Sequence, residues 1–457
     1  MKKLLIGFVI LAAFLVGVFC LLKVVKTGRR DSQAPPTDIE DEQVDADFSE
    51  PAPGAVVFDM TYRGLSGAKD ELRYNSYWGF GRGGNETPFI KEVRRNGGEF
   101  WTVYNSHFKG AEWSAVEVKD DKAVAFYFDL DADGKLSENE KILPIDDAES
   151  GPSNRTEFVT PDFVMTTRKG HQVQFRALLQ VRVSGSSSRP SCMWSPSCVL
   201  EGISTFNDKP TKLILFGNGF TGDFDTFGRC SYSLQDAAES SGRYISRHTL
   251  SSIINCEGQF YNLRLTGNYE KGKRIQVELE EYAGATGELA IQLKSNTSVK
   301  SKLSYVGMTG VNDETVRFRF QIPSEQIKIP VGTYKLRDGH IQYGVEKTDE
   351  WRVDFSEGPE VVINADKTRD VELGKPELSI SAIDEKKRYH SDKEEQTVYS
   401  KGTNVYLSRV IKGNAGELYG RFTENQTDSS RYTDIQPELK ILDAEGKQVA
   451  AAKLEYG

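Results

Sequence analysis

The residues of this chain best suited to chemistry are concentrated in one acidic run, DLDADGKLSENE, at positions 129–140. Asp129, Asp131 and Asp133 offer carboxylates at alternate positions, and Glu140 offers another at the end of the run. Carboxylate oxygens suit Ca²⁺, a hard cation that takes about six to eight oxygen ligands at roughly 2.3–2.6 Å. Carboxylates this close together repel one another unless a cation neutralises them. The run therefore predicts a calcium site, with a solvated acidic turn as the alternative.

The spacing resembles the twelve-residue calcium loop of EF-hand proteins, with which this run agrees from its first residue to its last. The resemblance implies a sharp turn at Gly134, a backbone carbonyl ligand from Lys135, and Ser137 as a ligand directly or through water. It also implies that Glu140 closes the shell with both oxygens and that Leu136 is an apolar plug. The implied cofactor is Ca²⁺, and its implied ligands are Asp129, Asp131, Asp133, Lys135, Ser137 and Glu140.

The residues on either side of the run predict strands rather than the helices of an EF-hand. Lys122–Phe128, which precede it, are rich in β-forming residues. Lys141 stands where an apolar residue is usual, and Pro144 would end any helix after about one turn. The resemblance thus covers the loop alone, and the sequence predicts a structural ion that fixes a β-hairpin rather than a calcium sensor.

The N-terminus predicts a membrane anchor over residues 1–30. Lys2 and Lys3 precede an uncharged run from Leu4 to Leu22, long enough nearly to span a hydrocarbon core of about 30 Å. Because no small-residue cleavage pattern follows, we expect an uncleaved signal anchor with the bulk of the chain exported, periplasmic or extracellular. The basic residues that follow the run leave the opposite orientation open under the positive-inside rule.

Charge and composition limit the partners of the remaining chain. Residues 31–54 are acidic and rich in proline, which predicts an extended linker. The net charge of −9, without a basic block, argues against a nucleic-acid partner. Cys192, Cys198, Cys230 and Cys256 form an even set, which predicts two disulfides, with buried free thiols as the alternative.

From Ala55 onward the pattern is that of a mainly β protein with few short helices. The clearest strand is Val173–Val183, in which apolar and mostly polar residues alternate. The best helix candidate is Leu234–Ser241. Further predicted strands are Glu99–Tyr104, Ala115–Val118, Lys212–Phe216, Ile275–Leu279, Leu289–Leu293, Val316–Ile322, Trp351–Phe355, Glu377–Ala382 and Val405–Val410.

Short strands separated by Gly, Asn and Asp turns predict a multi-domain β-sandwich architecture. We expect a β domain at 55–264 that holds the calcium loop and the cysteines, a sandwich module at 265–373, and a second one at 374–457. The stretch Pro330–Tyr334 resembles the P-x-G-x-Y turn and strand of immunoglobulin-like and carboxypeptidase-regulatory-like modules. The last residues, Leu454–Gly457, look like the middle of a strand, which predicts an incomplete final module.

No catalytic motif is evident. The histidines are scattered, with no H-E-x-x-H, and the serines form no G-x-S-x-G elbow. Two rivals remain: a carbohydrate-active hydrolase with a carboxylate pair facing a cleft, and a carbohydrate-binding protein that uses aromatics such as Tyr74, Tyr77, Trp78 and Phe80. A third possibility is a purely structural envelope spacer, which predicts neither a cleft nor an aromatic platform.

The layout as a whole resembles uncharacterised exported bacterial proteins that combine a strand-embedded calcium loop with C-terminal sandwich modules. It predicts a membrane-anchored calcium-binding β protein that acts as a binding or surface-scaffold module, with a glycan or protein ligand, rather than an enzyme.

Overall fold

The structure is a computed structural model, and it describes the following residues: 51–65, 77–83, 99–104, 113–131, 133, 135–145, 155–167, 170–184, 187–217, 222–238, 247–267, 275–294, 300–321, 326–344, 351–384, 405–425, 432–434, 438–442 and 446–453. The predicted anchor and most of the linker lie outside these ranges, as do Gly134, Tyr74 and residues 454–457. Among the described residues, no helix is both long enough and apolar enough to cross a membrane.

The described residues are mainly β, as the sequence predicts, with one three-residue 3-10 helix at Glu138–Glu140. The strands are β1 Val56–Gly64, β2 Tyr77–Gly83, β3 Glu99–Tyr104, β4 Trp113–Lys119, β5 Lys122–Phe128, β6 Lys141–Ile142, β7 Arg155–Val159, β8 Phe163–Thr166, β9 Gln172–Phe175, β10 Ala177–Ser184, β11 Ser187–Pro196, β12 Cys198–Phe206, β13 Lys209–Phe216, β14 Ser231–Asp236, β15 His248–Thr249, β16 Ile253–Cys256, β17 Gln259–Gly267, β18 Ile275–Glu281, β19 Thr286–Lys294, β20 Ser301–Gly310, β21 Arg317–Gln321, β22 Gln326–Pro330, β23 Gly332–Tyr343, β24 Trp351–Ser356, β25 Glu360–Ile363, β26 Thr368–Gly374, β27 Glu377–Asp384, β28 Val405–Lys412, β29 Leu418–Asn425, β30 Tyr432–Asp434, β31 Glu438–Leu442 and β32 Gln448–Lys453.

Two eight-stranded sheets carry the N-terminal part of the fold. Their orders are β15-β14-β13-β12-β1-β18-β17-β16 and β6-β5-β4-β3-β2-β11-β10-β7. Side chains from both sheets meet in one hydrophobic core, which contains Phe58 and Val277 of the first and Phe126, Leu179 and Trp194 of the second. This shared core fixes β5, the strand that leads into the acidic run, against the body of the protein.

A second core lies further along the chain. It is built on the nine-stranded sheet, whose main path is β21-β20-β23-β24-β29-β28-β27, and on the sheet β22-β19-β26. Val306, Leu336, Ile341 and Val353 are among its buried residues. Within the predicted P-x-G-x-Y turn, the Tyr334 hydroxyl donates a hydrogen bond to the carbonyl of Pro330, 3.0 Å away.

Strand pairing crosses both of the predicted domain boundaries. The boundary between residues 264 and 265 falls inside β17, and β18 pairs with β1, so these strands complete the first sheet. Most strands up to β18 build the first core and most strands from β19 onward build the second, although Phe260 of β17 packs in the second core. The boundary at 374 is crossed by the pairing of β24 with β29. Non-local pairing of this kind leaves no trace in the sequence next to a boundary.

Most predicted strands are present, and two predictions need correction. The strand predicted at Val173–Val183 has the expected buried face but divides at Arg176 into β9 and β10. The helix predicted at Leu234–Ser241 is wrong in its first part, because Leu234–Asp236 belong to β14 and pair with Thr211–Leu213 of β13. Residues 239–241 lie outside the described ranges.

The four cysteines are free thiols rather than the predicted disulfides. Cys192, Cys198 and Cys230 are buried, and Cys256 is half-buried. The Cys230 thiol donates to the carbonyl of Asp223 at 3.2 Å. Cys192 and Cys198 are part of the first hydrophobic core, so they pack as small apolar residues.

Candidate metal centre

The acidic run connects two paired strands. It begins one residue after β5 ends, and β6 returns to pair with β5, matching Ile142 with Phe126 and Lys141 with Tyr127. Strands therefore lie on both sides of the run, in place of an EF-hand's helices. The last three residues of the run, Glu138–Glu140, form a short 3-10 helix, the one helical element among the described residues.

Both faces of β5 are buried, which explains its continuous apolar run. Phe126 and Phe128 face the first hydrophobic core, whereas Ala125 and Tyr127 belong to a small separate cluster. Leu136 of the acidic run belongs to the same small cluster: it is 1% exposed and packs with Tyr127. The apolar plug inferred from the sequence thus holds the middle of the run against the sheet.

The structure brings the three aspartates together. One carboxylate oxygen each from Asp129, Asp131 and Asp133 lies within 4.8 Å of the others. Asp129 is buried, whereas Asp131 and Asp133 are exposed, so the cluster has a closed side and a side open to solvent.

Backbone hydrogen bonds hold these carboxylates in place. The amide of Asp133 donates to Oδ1 of Asp129 at 3.1 Å and to Oδ1 of Asp131 at 3.2 Å. The amide of Lys135 donates to Oδ1 of Asp133 at 2.7 Å. These hydrogen bonds keep the carboxylates of the three aspartates close to the backbone amides of the run and close to one another.

Glu140, the predicted bidentate ligand, lies outside this group of three. It is 6% exposed, and its Oε1 accepts the amide of Leu130 at 2.8 Å. Its Oε2 accepts the amide and the hydroxyl of Ser137, at 2.8 and 3.0 Å. The carboxylate of Glu140 therefore ties the two ends of the run together. Ligation by Glu140 and Ser137 stays a prediction, as does the carbonyl ligand from Lys135, whose side chain is exposed.

A tyrosine and a lysine border the site at the base of the hairpin. Lys141 lies 3.8 Å from the carboxylate of Glu138, and its ammonium is 5.5 Å from the centre of the Tyr127 ring. Its hydrogen bond to Tyr127 raises the pKa of Lys141, and burial raises the pKa of Tyr127. Lys141 is therefore charged at neutral pH, next to the carboxylate of Glu138 at the end of the acidic run.

The residues of the rival carbohydrate hypotheses are described only in part. For β2, which carries Tyr77, Trp78 and Phe80, the structure describes the backbone alone. Trp101 is half-buried. Across the part of the chain whose side chains are described, the exposed large hydrophobic residues are aliphatic, and they do not form an aromatic platform.

No protein-family model, no curated protein and no solved structure matches this chain.

Proposed function

We propose that this protein is an exported, membrane-anchored, multi-domain β-sandwich protein whose acidic run at residues 129–140 binds one structural Ca²⁺. In this proposal the ion locks the β5–β6 hairpin, and the sandwich acts as a binding or surface-scaffold module for a glycan or protein ligand. The observation that carries the calcium site is the convergence of Asp129, Asp131 and Asp133 within 4.8 Å.

The frame of the loop supports a structural ion. Leu136 is buried, Glu140 joins the two ends of the run, and β6 pairs with β5, so the protein's own contacts hold the loop at three points. A loop organised in this way loses little conformational entropy when it binds an ion. Strands on both sides offer no pair of helices that could open, which is the motion that calcium sensors use.

Export and anchoring are supported by the sequence of residues 1–30, with its basic start and long uncharged run. Calcium concentrations outside cells are in the millimolar range that weak extracellular calcium modules use, so the proposed compartment and the proposed ion are compatible.

Thermal unfolding of the full chain in neutral detergent, with excess calcium and again with a chelator, tests the site. The informative variant is Asp131→Asn/Asp133→Asn. Both side chains are exposed, and asparagine keeps the oxygen that accepts the amides of Asp133 and Lys135 while it removes the charge. Calcium at about one hundred times its dissociation constant should stabilise the natural chain by about 2.7 kcal/mol and the variant far less.

The matched control is Asp120→Asn/Asp121→Asn. These aspartates form the turn between β4 and β5, and both have positive φ, 49° and 58°, which asparagine also adopts readily. The control removes the same charge from a neighbouring hairpin and should keep the full calcium effect. An equal calcium effect in both variants, or none in the natural chain, would refute the site.

Glu140 is unsuited to this test. Its carboxylate accepts three hydrogen bonds within the run, so replacing it would loosen the loop whether or not an ion binds.

A further inference from the structure

Two adjoining cavities lie beside β21, away from the acidic run. The first has a volume of about 430 Å³ and the second about 390 Å³, and both are in the size range of small-molecule sites. They share Thr249, Arg317, Phe318 and Arg319 as lining residues, so they form one continuous cleft.

The second cavity follows from the sheet register. β20 lies between β21 and β23, with Gly307 paired to Arg319 on one side and to Asp338 on the other. Thr309 of β20 pairs with Arg317. Because small residues stand on the middle strand and long ones on β21, the sheet has a trough along β20 with guanidinium groups on its edge.

A β-bulge adds another arginine to this trough. The pairing of β20 with β23 shifts between Gly307, which faces Asp338, and Met308, which faces Leu336. Arg337 is the extra residue in this bulge, and it lines the second cavity. Bulges change the direction of a side chain, and they are common beside binding sites.

The arginines of this cleft have polar and aromatic neighbours, and the one acidic residue among the lining residues is Asp338, whose carboxylate lies against Gly307. Arg317 donates from Nε to the carbonyl of Glu314 at 3.0 Å and from Nη1 to that of Gly228 at 3.2 Å. The guanidinium of Arg319 lies 3.9 Å from the centre of the Tyr305 ring.

Among the residues that the structure describes, no salt bridge involves Arg317, Arg319 or Arg337. Arg319 and Arg337 are exposed, whereas Arg317 is half-buried. Three arginines and one aspartate, Asp338, are the charged residues that line the two cavities, so the lining has an excess of positive charge although the chain has a net charge of −9. Such an excess attracts anions.

We propose that this cleft binds an organic phosphate or sulfate ester, with its oxyanion between Arg319 and Arg337. Guanidinium groups present a planar fork of donors that fits such oxyanions, and Arg317 is already oriented by its two carbonyl partners. This site is independent of the calcium site.

The remaining lining indicates what the oxyanion is attached to. The first cavity is lined in part by the aromatic residues Tyr232, Phe318 and Phe320, of which Phe320 is half-buried and the other two are buried, and by the amides of Asn255 and Gln321. Asp338 lines the second cavity, where it can accept a hydrogen bond from a ligand hydroxyl but disfavours a bare anion. A hydroxylated ring that bears the ester fits this combination, and a sugar phosphate or sugar sulfate is the simplest example.

His248 also lines the first cavity. Burial, together with the nearby charge of Arg319, lowers the pKa of His248. Its ring is therefore neutral at neutral pH and offers one donor and one acceptor to the hydroxyls of the ligand.

Isothermal titration calorimetry with glucose 6-phosphate, glucose 6-sulfate and glucose tests the proposal. The full chain is titrated in neutral detergent and calcium-free buffer at physiological salt. We expect saturable binding of both esters and much weaker binding of glucose. The variant Arg319→Gln/Arg337→Gln should weaken binding of the esters by about tenfold or more, because charge-assisted hydrogen bonds are lost. Both arginines are exposed, so the fold and its thermal midpoint should be retained.

The control is Lys302→Gln/Arg369→Gln. Both residues are exposed and line neither cavity, and their replacement changes the net charge equally. Unchanged ester binding in this control supports the site. Equal weakening by both pairs of substitutions, no saturable binding of either ester, or equal binding of glucose would overturn the proposal.

Discussion

Asp129 and Glu140 show how differently two carboxylates of one acidic run are used. Asp129 is 3% exposed and lies in the aspartate cluster, whereas Glu140 is 6% exposed and accepts hydrogen bonds from Leu130 and Ser137. The spacing of residues was enough to predict that the aspartates converge. It could not predict the part played by Glu140, because its hydrogen bonds depend on how the chain returns towards β6.

A carboxylate outside the calcium site gives a prediction about pH. The carboxylate of Asp162 accepts hydrogen bonds from the Tyr62 hydroxyl at 2.8 Å and from Nε of Arg176 at 2.7 Å, and Gln174 donates to its other oxygen at 3.1 Å. Burial opposes ionisation, but the hydrogen bonds from Tyr62 and Arg176 outweigh it and hold the pKa of Asp162 below its usual 3.8.

Because this pKa is depressed in the folded state, the ionised carboxylate stabilises the fold above about pH 3.8, and the contribution is lost as the pH falls through the folded pKa. Asp162→Asn should lower the free energy of unfolding by about 1 kcal/mol at pH 7, since the side chain is partly exposed to solvent. Urea unfolding across pH measures this. A difference that stays constant from pH 7 to pH 3 would contradict the account.

The cysteines give a second prediction at this scale. Burial raises the pKa of Cys192, Cys198 and Cys256 to about 12, so little reactive thiolate is present at neutral pH. Iodoacetamide should therefore label these residues slowly in the native protein and fully in denaturant without a reductant, as read by mass spectrometry. Labelling that requires a reductant even in denaturant would show disulfides instead.

At the scale of elements, β5 and the acidic run depend on each other. The strand was predictable from its β-forming residues, but the burial of its second face was not, because Leu136, which covers that face, comes from the loop that follows it. The division of the strand predicted at Val173–Val183 has a similar cause. Arg176 interrupts the strand there and bonds to Asp162, a partner that local sequence does not reveal.

The plug provides a direct test of this dependence. Leu136→Ala should lower the free energy of unfolding by about 2–5 kcal/mol, because a fully buried leucine leaves a cavity. It should also weaken the calcium effect on the thermal midpoint, since the run loses its contact with Tyr127. Leu143, which is 66% exposed, is the control, and Leu143→Ala should change stability by less than about 0.5 kcal/mol. Similar losses in both variants would contradict the role of the plug.

At the scale of the whole molecule, two hydrophobic cores are joined by polar and apolar contacts within residues 46–457, which form one compact unit. The hydroxyl of Thr315 donates to that of Ser252 at 2.8 Å, and the amide of Arg317 donates to Ser251 at 2.8 Å. Phe260 of β17 packs in the second core although its strand belongs to the first sheet. The alternating strand patterns predicted a mainly β chain correctly, but these long-range contacts set the divisions of the fold.

The proposed oxyanion cleft was missed for the same reason. Arg319 and Arg337 lie on different strands, and the sequence gives no sign that they line one cavity. An arginine on a strand is usually interpreted as a solvent-facing residue. These two line the same cavity only because β20 pairs with both β21 and β23.

Direct calcium binding tests the central claim of this account, that residues 129–140 hold a structural ion. Isothermal titration of the full chain with calcium should give one saturable site with a dissociation constant of about 1 mM or tighter. The site should vanish in Asp131→Asn/Asp133→Asn and persist in Asp120→Asn/Asp121→Asn. No saturable binding up to about 10 mM calcium, or the same isotherm in both variants, would contradict the account.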